Sequence, residues 1–187
     1  GGKGGTGKTT VVAALAHLLA ADQTLVLADA DVDAPNLALL LDPEVQTTTP
    51  FTGGVLAEID ASACAACGLC AEVCRYDAVH ADHGAYRVDA TACEGCAACA
   101  YACPVSCIRM EPVVSGEWHL SQTRFGPFVH AHLFPGQENS GKLVSTVRQQ
   151  ALLLAEEQGV DLVLVDGSPG IGCPVIAALT GADLALM

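Results

Sequence analysis

Near its start the chain reads Gly2-Lys3-Gly4-Gly5-Thr6-Gly7-Lys8-Thr9, and its fold class follows from this glycine-rich stretch. The stretch satisfies the pattern G-x-x-x-x-G-K-[ST], and the Ala- and Leu-rich residues from Lys8 to Ala21 predict a helix. Glycines let successive backbone N–H groups point at phosphate oxygens, and a helix N-terminus adds partial positive charge. We therefore expect Lys8 to contact the β- and γ-phosphates of a nucleotide and Thr9 to bind Mg²⁺. The alternative is a flexible glycine loop, which a full match in this context disfavours.

The segments beyond the loop predict an α/β domain with a mostly parallel sheet flanked by helices. The predicted elements are a buried strand over Thr24 to Ala28, a hairpin over Trp118 to Leu133, a helix over Ser140 to about Gln158 and a central parallel strand over Leu162 to Val165. The proline- and glycine-rich residues 35–54 predict a loop. No residues precede the phosphate loop to form its usual strand, and the chain stops inside a strand-like run, Ala182 to Met187. We therefore expect the sheet to be truncated at both ends.

Eight of the ten cysteines form two runs with the same spacing, C-x₂-C-x₂-C-x₃-C. The first run is Cys64, Cys67, Cys70 and Cys74, and the second, shifted by 29 residues, is Cys93, Cys96, Cys99 and Cys103. Flanking residues match at the same shift, with Asp60 on Asp89, which indicates a duplicated module. The sequence becomes cysteine-rich at the start of this module and returns to ordinary composition after Pro112. The predicted domains are therefore 1–57, 58–112 and 113–187, with the middle one inserted into the α/β domain.

The second run ends in Cys103-Pro104, the signature of bacterial ferredoxins that hold cuboidal 4Fe-4S clusters. In that signature the fourth cysteine of each run reaches the other cluster, and the insertion would be an α+β dicluster ferredoxin domain. The predicted ligand sets are Cys64, Cys67, Cys70 and Cys103 for one cluster, and Cys93, Cys96, Cys99 and Cys74 for the other. Structural zinc is the main alternative, although four-cysteine runs in tandem favour the clusters. Arg75 stands where proline is usual in the first run, and this departure removes no ligand.

The two remaining cysteines and the histidines are assigned no chemistry. Cys107 aligns with Ala78 in the repeat and is interpreted as filling a small buried position. Cys173 follows Gly172, where a redox function is the alternative to the favoured interpretation, a buried structural thiol. None of the histidines has metal-ligand spacing with the cysteines. His130 and His132 share one face of a predicted strand and are interpreted as surface or packing residues.

Composition and charge narrow the class of protein. The 187 residues are 51% apolar, and the net charge is −13 with only eight Lys and Arg residues. Nonspecific nucleic-acid binding is disfavoured, because basic residues supply its affinity. No apolar run is long enough to cross a bilayer. Ten cysteines without a signal peptide, most of them at metal-ligand spacing, indicate a reducing cytoplasm and argue against an extracellular disulfide scaffold.

The form KGGTGKTT, with Lys3 as a second lysine, resembles the deviant Walker A loop of the MinD/ParA/Mrp and nitrogenase iron protein superfamily of P-loop ATPases. The whole layout resembles members of the MinD superfamily that carry an inserted ferredoxin domain. The resemblance implies binding of ATP and Mg²⁺ by Gly2, Lys3, Gly4, Gly5, Thr6, Gly7, Lys8, Thr9 and Thr10. It also implies that Lys3 reaches the nucleotide of the partner in a homodimer, so that dimerisation would switch on an otherwise slow hydrolysis.

Aspartates at two strand ends fit the same resemblance. Asp29-Ala30-Asp31 looks like the DxD element of the superfamily, in which Asp31 positions the attacking water, and Asn36 lies in the switch I that follows. Asp166 looks like the Walker B aspartate that holds Mg²⁺ together with Thr9, with 167–172 as switch II. The implied catalytic residues are Lys3, Lys8, Asp31 and Asp166. For each aspartate the alternative is a turn residue or helix cap at a strand end.

Three functions are compatible with these expectations. The first is an ATPase in which nucleotide-driven dimer closure controls electron transfer through two 4Fe-4S clusters to a redox partner protein. The second is a carrier or scaffold that passes iron-sulfur or other metal clusters to an acceptor protein. The third is a positioning or assembly ATPase whose clusters sense redox state. The first is favoured, because two clusters at ferredoxin-like potentials form a path for low-potential electrons.

Overall fold

The computed structural model describes residues 5–137 and 139–186. In chain order its elements are α1 (Lys8–Leu19), β1 (Val26–Asp29), α2 (Leu37–Leu41), β2 (Glu44–Ile59), α3 (Leu69–Glu72), β3 (Val79–Asp82), β4 (Ala85–Val88), α4 (Ala98–Ala102), β5 (Ile108–Thr123), β6 (Gly126–Leu133), α5 (Ser140–Gln158), β7 (Val163–Asp166) and α6 (Cys173–Leu179). The predicted hairpin is confirmed as β5 and β6, and the predicted helix as α5.

The chain divides into two compact units, one formed by residues 1–51 and 115–187 and the other by residues 52–114. The changes in amino-acid composition predict boundaries a few residues away, after residue 57 and after residue 112. The difference arises because β2 and β5, each of 16 residues, begin in one unit and end in the other. A boundary inside a strand carries no turn or composition signal that the sequence could reveal.

Five strands form one sheet in the order β2-β5-β6-β1-β7. β1 pairs in parallel with β6 and β7, and β5 pairs antiparallel with β6. All four residues of β1 are buried, which is the pattern of a central strand covered on both faces. The chain is therefore α/β with parallel strands at the centre of its sheet, as the sequence predicts.

Helices cover both faces of this central strand. On one face Val26 and Ala28 pack against α5, in a core that includes Leu143 and Val147. On the other face Leu25 and Leu27 pack in a core with residues of α1 and α2. Gly126 lets β6 approach here, because a Cβ on it would overlap the carbonyl oxygen of Leu25. No helix in the described part of the chain is long and apolar enough to cross a membrane.

Two sequence expectations about secondary structure are wrong. Residues 35–54, predicted as a loop, contain α2 and much of β2. β2 is the first strand in the sheet order and so lies at the edge of the sheet. Proline has no backbone N–H, and an edge strand tolerates Pro50 because its outer side needs no hydrogen bonds to a neighbouring strand. Residues 182–186, expected to be a strand, form none, and Leu184 and Leu186 are exposed.

The unit of residues 52–114 contains two short helices and a hairpin. β3 and β4 pair antiparallel, from Val79 opposite Val88 to Asp82 opposite Ala85. The helices α3 and α4 each carry the third cysteine of a run, Cys70 and Cys99. The small core of this unit is built largely from these cysteines and short apolar side chains. So small a core stabilises the unit little by burial alone.

Candidate functional site

The carboxyl ends of β1 and β7 lie side by side. Asp29 is in register with Asp166, and the backbone N–H of Ala30 donates to the carbonyl of Asp166 at 2.8 Å. The buried hydroxyl of Ser168 donates to the carbonyl of Ala30. Ligands of open α/β sheets bind outside the carboxyl ends of parallel strands. This edge is therefore the first candidate site in the unit of residues 1–51 and 115–187.

The glycine-rich loop and α1 adjoin Asp166. Gly5 and Gly7 have φ values of +79° and +80°, and a Cβ built on either would meet no atom within 4 Å. The helix begins at Lys8, and the first backbone N–H groups of a helix have no partner within it. Open space beside unpaired N–H groups suits an anion such as phosphate. Gly2, Lys3 and Gly4, which the sequence also assigns to nucleotide binding, lie outside the described residues, and exposed Thr6 and Thr10 lie within them.

Asp166 is nearly inaccessible, with 2% of its surface exposed. Burial raises its pKa, while a hydrogen bond with the Thr9 side chain and the charge of Lys8 act in the opposite direction. Its Oδ1 atom is buried without a hydrogen-bond partner among the described residues. A buried carboxylate oxygen in this condition is costly unless a cation lies beside it. Thr9 and Asp166 thus fit the hard oxygen ligands that Mg²⁺ prefers.

The two aspartates at the end of β1 have different surroundings. Asp29 is fully buried and accepts backbone N–H groups from Asp31 at 3.0 Å and from Leu37 at 3.1 Å. Burial raises its pKa to about 7, and the nearby carboxylates of Asp166 and Asp31 contribute. Asp31 is only partly buried, and its pKa is also raised by burial. Asp29 therefore holds the backbone, while Asp31 is the aspartate accessible to a reactant.

Asp29→Ala is expected to lower the free energy of unfolding by about 1–3 kcal/mol, because two backbone N–H groups would lose their acceptor in a buried place. Urea unfolding of the variant and the parent protein measures this difference. The matched control is Asp33→Ala, which removes an exposed carboxylate four residues further along the chain. Equal loss of stability in the two variants would show that the two backbone contacts are unimportant.

The second candidate site is a pair of cavities in the unit of residues 52–114. Each cavity is lined by the first three cysteines of one run and the fourth cysteine of the other. Cys64, Cys67, Cys70 and Cys103 line one, together with Cys107, and Cys93, Cys96, Cys99 and Cys74 line the other. The folding of the chain therefore brings together the same four-thiol sets that the spacing predicts.

Backbone geometry repeats between the two halves of this unit. Positive φ angles occur in pairs 29 residues apart: Ala66 with Gly95, Gly68 with Ala97, and Asp77 with Ser106. The backbone N–H of Asp60 donates to Cys107, and that of Asp89 donates to Ala78, which is the same bond after the shift. These reciprocal bonds join each half to the other. Because of this internal two-fold arrangement, the fourth cysteine of each run lies in the cavity that the first three cysteines of the other run line.

The thiols lie in surroundings suited to a bound cation. Burial raises the pKa of Cys70 and of Cys99, so neither thiol ionises readily by itself. Coordination to a metal deprotonates such thiols. Backbone N–H groups of Ala66 and Ala78 point at the sulfurs of Cys64 and Cys74, both at 3.4 Å. Hydrogen bonds of this kind stabilise thiolate and tune the potential of a bound iron cluster.

The two cysteines outside these sets differ in exposure. Cys107 is buried, as the repeat predicts, and its sulfur lies 3.5 Å from that of Cys103. Burial raises the pKa of Cys107 to about 11, so it is a neutral thiol. Cys173 is exposed at the start of α6, and the expectation of a buried structural thiol there is wrong.

Sequence reasoning missed a group of histidines on β5 and β6. His119 and His130 are opposite each other, and Glu117 is opposite His132. Burial lowers the pKa of His130 to about 4, so this ring is neutral at physiological pH. The signal was present as E-x-H and H-x-H on two strands of a predicted hairpin. Alternate residues of paired strands share one face, and laying out that hairpin would have brought the group together.

Comparison with known proteins identifies a family that includes most of the chain. The CbiA family, described as the CobQ/CobB/MinD/ParA nucleotide-binding domain, matches residues 1–174. An uncharacterized protein of Methanocaldococcus jannaschii, MJ0578, is 33% identical over 186 residues. That alignment covers 99% of this chain and 63% of the relative. The chain thus spans somewhat less than two thirds of the length of the curated relative it matches.

Proposed function

This chain belongs to the CobQ/CobB/MinD/ParA nucleotide-binding domain family, and from this we propose that it is a Mg²⁺-dependent ATPase coupled to two 4Fe-4S clusters. Nucleotide-driven closure of a homodimer would control electron transfer through the clusters to a redox partner protein. The observation that carries the proposal is that the eight cysteines of the two runs line two cavities, four in each, and that each cavity draws on both runs.

The nucleotide half of the proposal is supported by the edge where β1, β7 and α1 meet. Lys8 would neutralise charge on the β- and γ-phosphates, and backbone N–H groups around Gly7 would donate hydrogen bonds to phosphate oxygens. Thr9 and Asp166 would hold Mg²⁺, whose contribution is to neutralise charge that develops on the phosphates. Asp31 would orient the attacking water. Lys3 gives the loop the form of a deviant Walker A, and we propose that it acts on the nucleotide of the partner subunit.

The cluster half is supported by the donor set of the unit of residues 52–114, which we propose is an inserted dicluster ferredoxin domain. Four cysteines of the runs per cavity match the number of ligands that a 4Fe-4S cluster takes. Cys107 also lines one cavity, but its raised pKa keeps it a neutral thiol. The third and fourth cysteines of each run fall on or after a short helix, which turns them toward different cavities. Bound clusters would supply one-electron transfer at low potential. Such thiol sets persist in a reducing compartment, so we propose a cytoplasmic protein.

Coupling between the two halves is tested by measuring electron transfer with and without ATP. The full chain, purified without oxygen and reduced, is mixed with an oxidised viologen dye, and the reduction potentials are measured by dye-mediated titration. We expect the rate or the potentials to change with Mg²⁺ and ATP in the parent protein and not in Lys8→Ala. A transfer rate and reduction potentials that do not change with ATP would contradict the proposed coupling between nucleotide and electron transfer. Rapid loss of iron to an apo acceptor protein would instead support a cluster carrier.

A further inference from the structure

We propose that Glu117, His119 and His132 form a binding site for a divalent first-row transition-metal ion such as Zn²⁺ or Fe²⁺, separate from the cysteines. His119 Nε2 lies 3.6 Å from Glu117 Oε1, and His132 Nε2 lies 3.7 Å from the same oxygen. One ligand atom from each of the three residues lies within 4.8 Å of the others. Two imidazoles therefore converge on a single carboxylate oxygen.

These separations suit a metal ion better than direct hydrogen bonds. Hydrogen bonds between such atoms are about 2.7–3.2 Å long, shorter than either separation. Around a tetrahedral metal with bonds of about 2.0–2.2 Å, neighbouring ligand atoms are roughly 3.3–3.6 Å apart. Both separations from Glu117 Oε1 are close to this spacing. The ligand atoms of the two histidines, which lie within 4.8 Å of each other, would draw together on binding. Two nitrogen ligands and one carboxylate favour transition metals over Mg²⁺ or Ca²⁺.

The surroundings of His119 orient it as a ligand. Thr48 Oγ1 lies 3.0 Å from Nδ1 of His119, on the side of the ring away from the Nε2 atom that faces Glu117. With Nδ1–H donated to this hydroxyl, Nε2 carries the lone pair. Metal-binding histidines are usually fixed in this manner by a hydrogen bond from the other ring nitrogen. Thr48 is thus a positioning residue for the proposed site.

Ring contacts hold the imidazoles in place. His130 stacks on Phe128 at 4.6 Å and lies 4.7 Å from the ring of His119, which is 5.8 Å from His132. His130 is not counted as a ligand, because its Nε2 is engaged by the Ser121 hydroxyl at 2.9 Å. Glu117 and His132 remain 33% and 41% exposed, so an ion can enter from solvent. Three protein ligands would leave a coordination position for water.

The test uses the full chain purified without oxygen, with Zn²⁺ as the probe. Binding is measured against a competing chelator, and the bound metal is examined by X-ray absorption, which separates nitrogen and oxygen ligands at about 2.0–2.1 Å from sulfur at about 2.3 Å. We expect one Zn²⁺ per chain in a nitrogen and oxygen shell. His132→Gln should weaken binding more than 100-fold, and Thr48→Val about 10–100-fold.

The matched control is His83→Gln. His83 Nε2 lies 3.7 Å from Asp82 Oδ1, but its side chain is fully exposed, and the described residues give it no ring contact with another imidazole. Zinc binding should be unchanged in this variant. Because His132 is partly exposed, its replacement should leave thermal unfolding unaltered, which separates lost ligation from misfolding. Equal zinc affinity in His132→Gln and the parent, or a shell of sulfur alone in the parent, would overturn the proposal.

Discussion

Replacing Cys74 and Cys67 together by alanine is expected to leave almost no iron in the purified chain, whereas replacing Cys74 and Cys96 should leave about four iron atoms per chain. Cys74 and Cys96 line the same cavity, so their joint loss damages one cluster. Cys67 lines the other cavity, so the first pair damages both clusters. Iron and acid-labile sulfide, counted after anaerobic purification, measure the difference.

The two double variants control for each other, because each lacks two thiols and shares Cys74→Ala. If each run instead held its own cluster, the outcomes would be exchanged, since Cys67 and Cys74 belong to one run. Cys173→Ala is a further control. It removes an exposed thiol at the start of α6 and should retain the full iron content. The experiment therefore tests the exchange of ligands between the runs separately from the presence of iron.

The second large effect is expected for Lys8→Ala, which should reduce the rate of ATP hydrolysis by roughly 10²–10³-fold, the usual cost of removing one charge-stabilising donor. Lys8 lies at the first position of α1, and its charge acts on both Asp31 and Asp166. Phosphate release measured with saturating Mg²⁺ and ATP gives the rate.

Arg87→Ala is the matched control for this loss of positive charge. Arg87 is 61% exposed on β4, where its partner is the exposed carboxylate of Asp82 at 3.7 Å. Its removal should leave hydrolysis unchanged. If Lys8→Ala hydrolysed ATP as fast as the parent, the phosphate loop would not be the site of catalysis, and the nucleotide half of the proposed function would fail.

Local patterns account for the parts of the fold that the sequence predicted well. The helix α1 follows from the phosphate-loop motif, and α5 from 19 residues with helical spacing of buried side chains such as Leu143, Val144 and Val147. The short apolar run before Asp166 predicted β7 within a residue at each end. Each of these signals lies within one continuous segment.

The errors concern structure that depends on distant residues. Pro50 and the neighbouring glycines indicate a loop when read locally, but pairing at the edge of the sheet makes this segment part of β2. Strand pairing also explains why the sequence did not reveal the histidine group. His119 and His132 come together only when β5 and β6 are aligned in register. The four-thiol sets were predictable because the spacing of a repeated metal-binding motif itself encodes contacts between its two halves.

The most direct test of this account is the metal content of the full chain purified without oxygen. If the duplicated unit holds two cubane clusters, each chain contains about eight iron atoms and about eight acid-labile sulfides in that unit. Any zinc then lies at the site of Glu117, His119 and His132 and not on the cysteines. Stoichiometric zinc in place of iron, or only about four iron atoms per chain, would contradict the account.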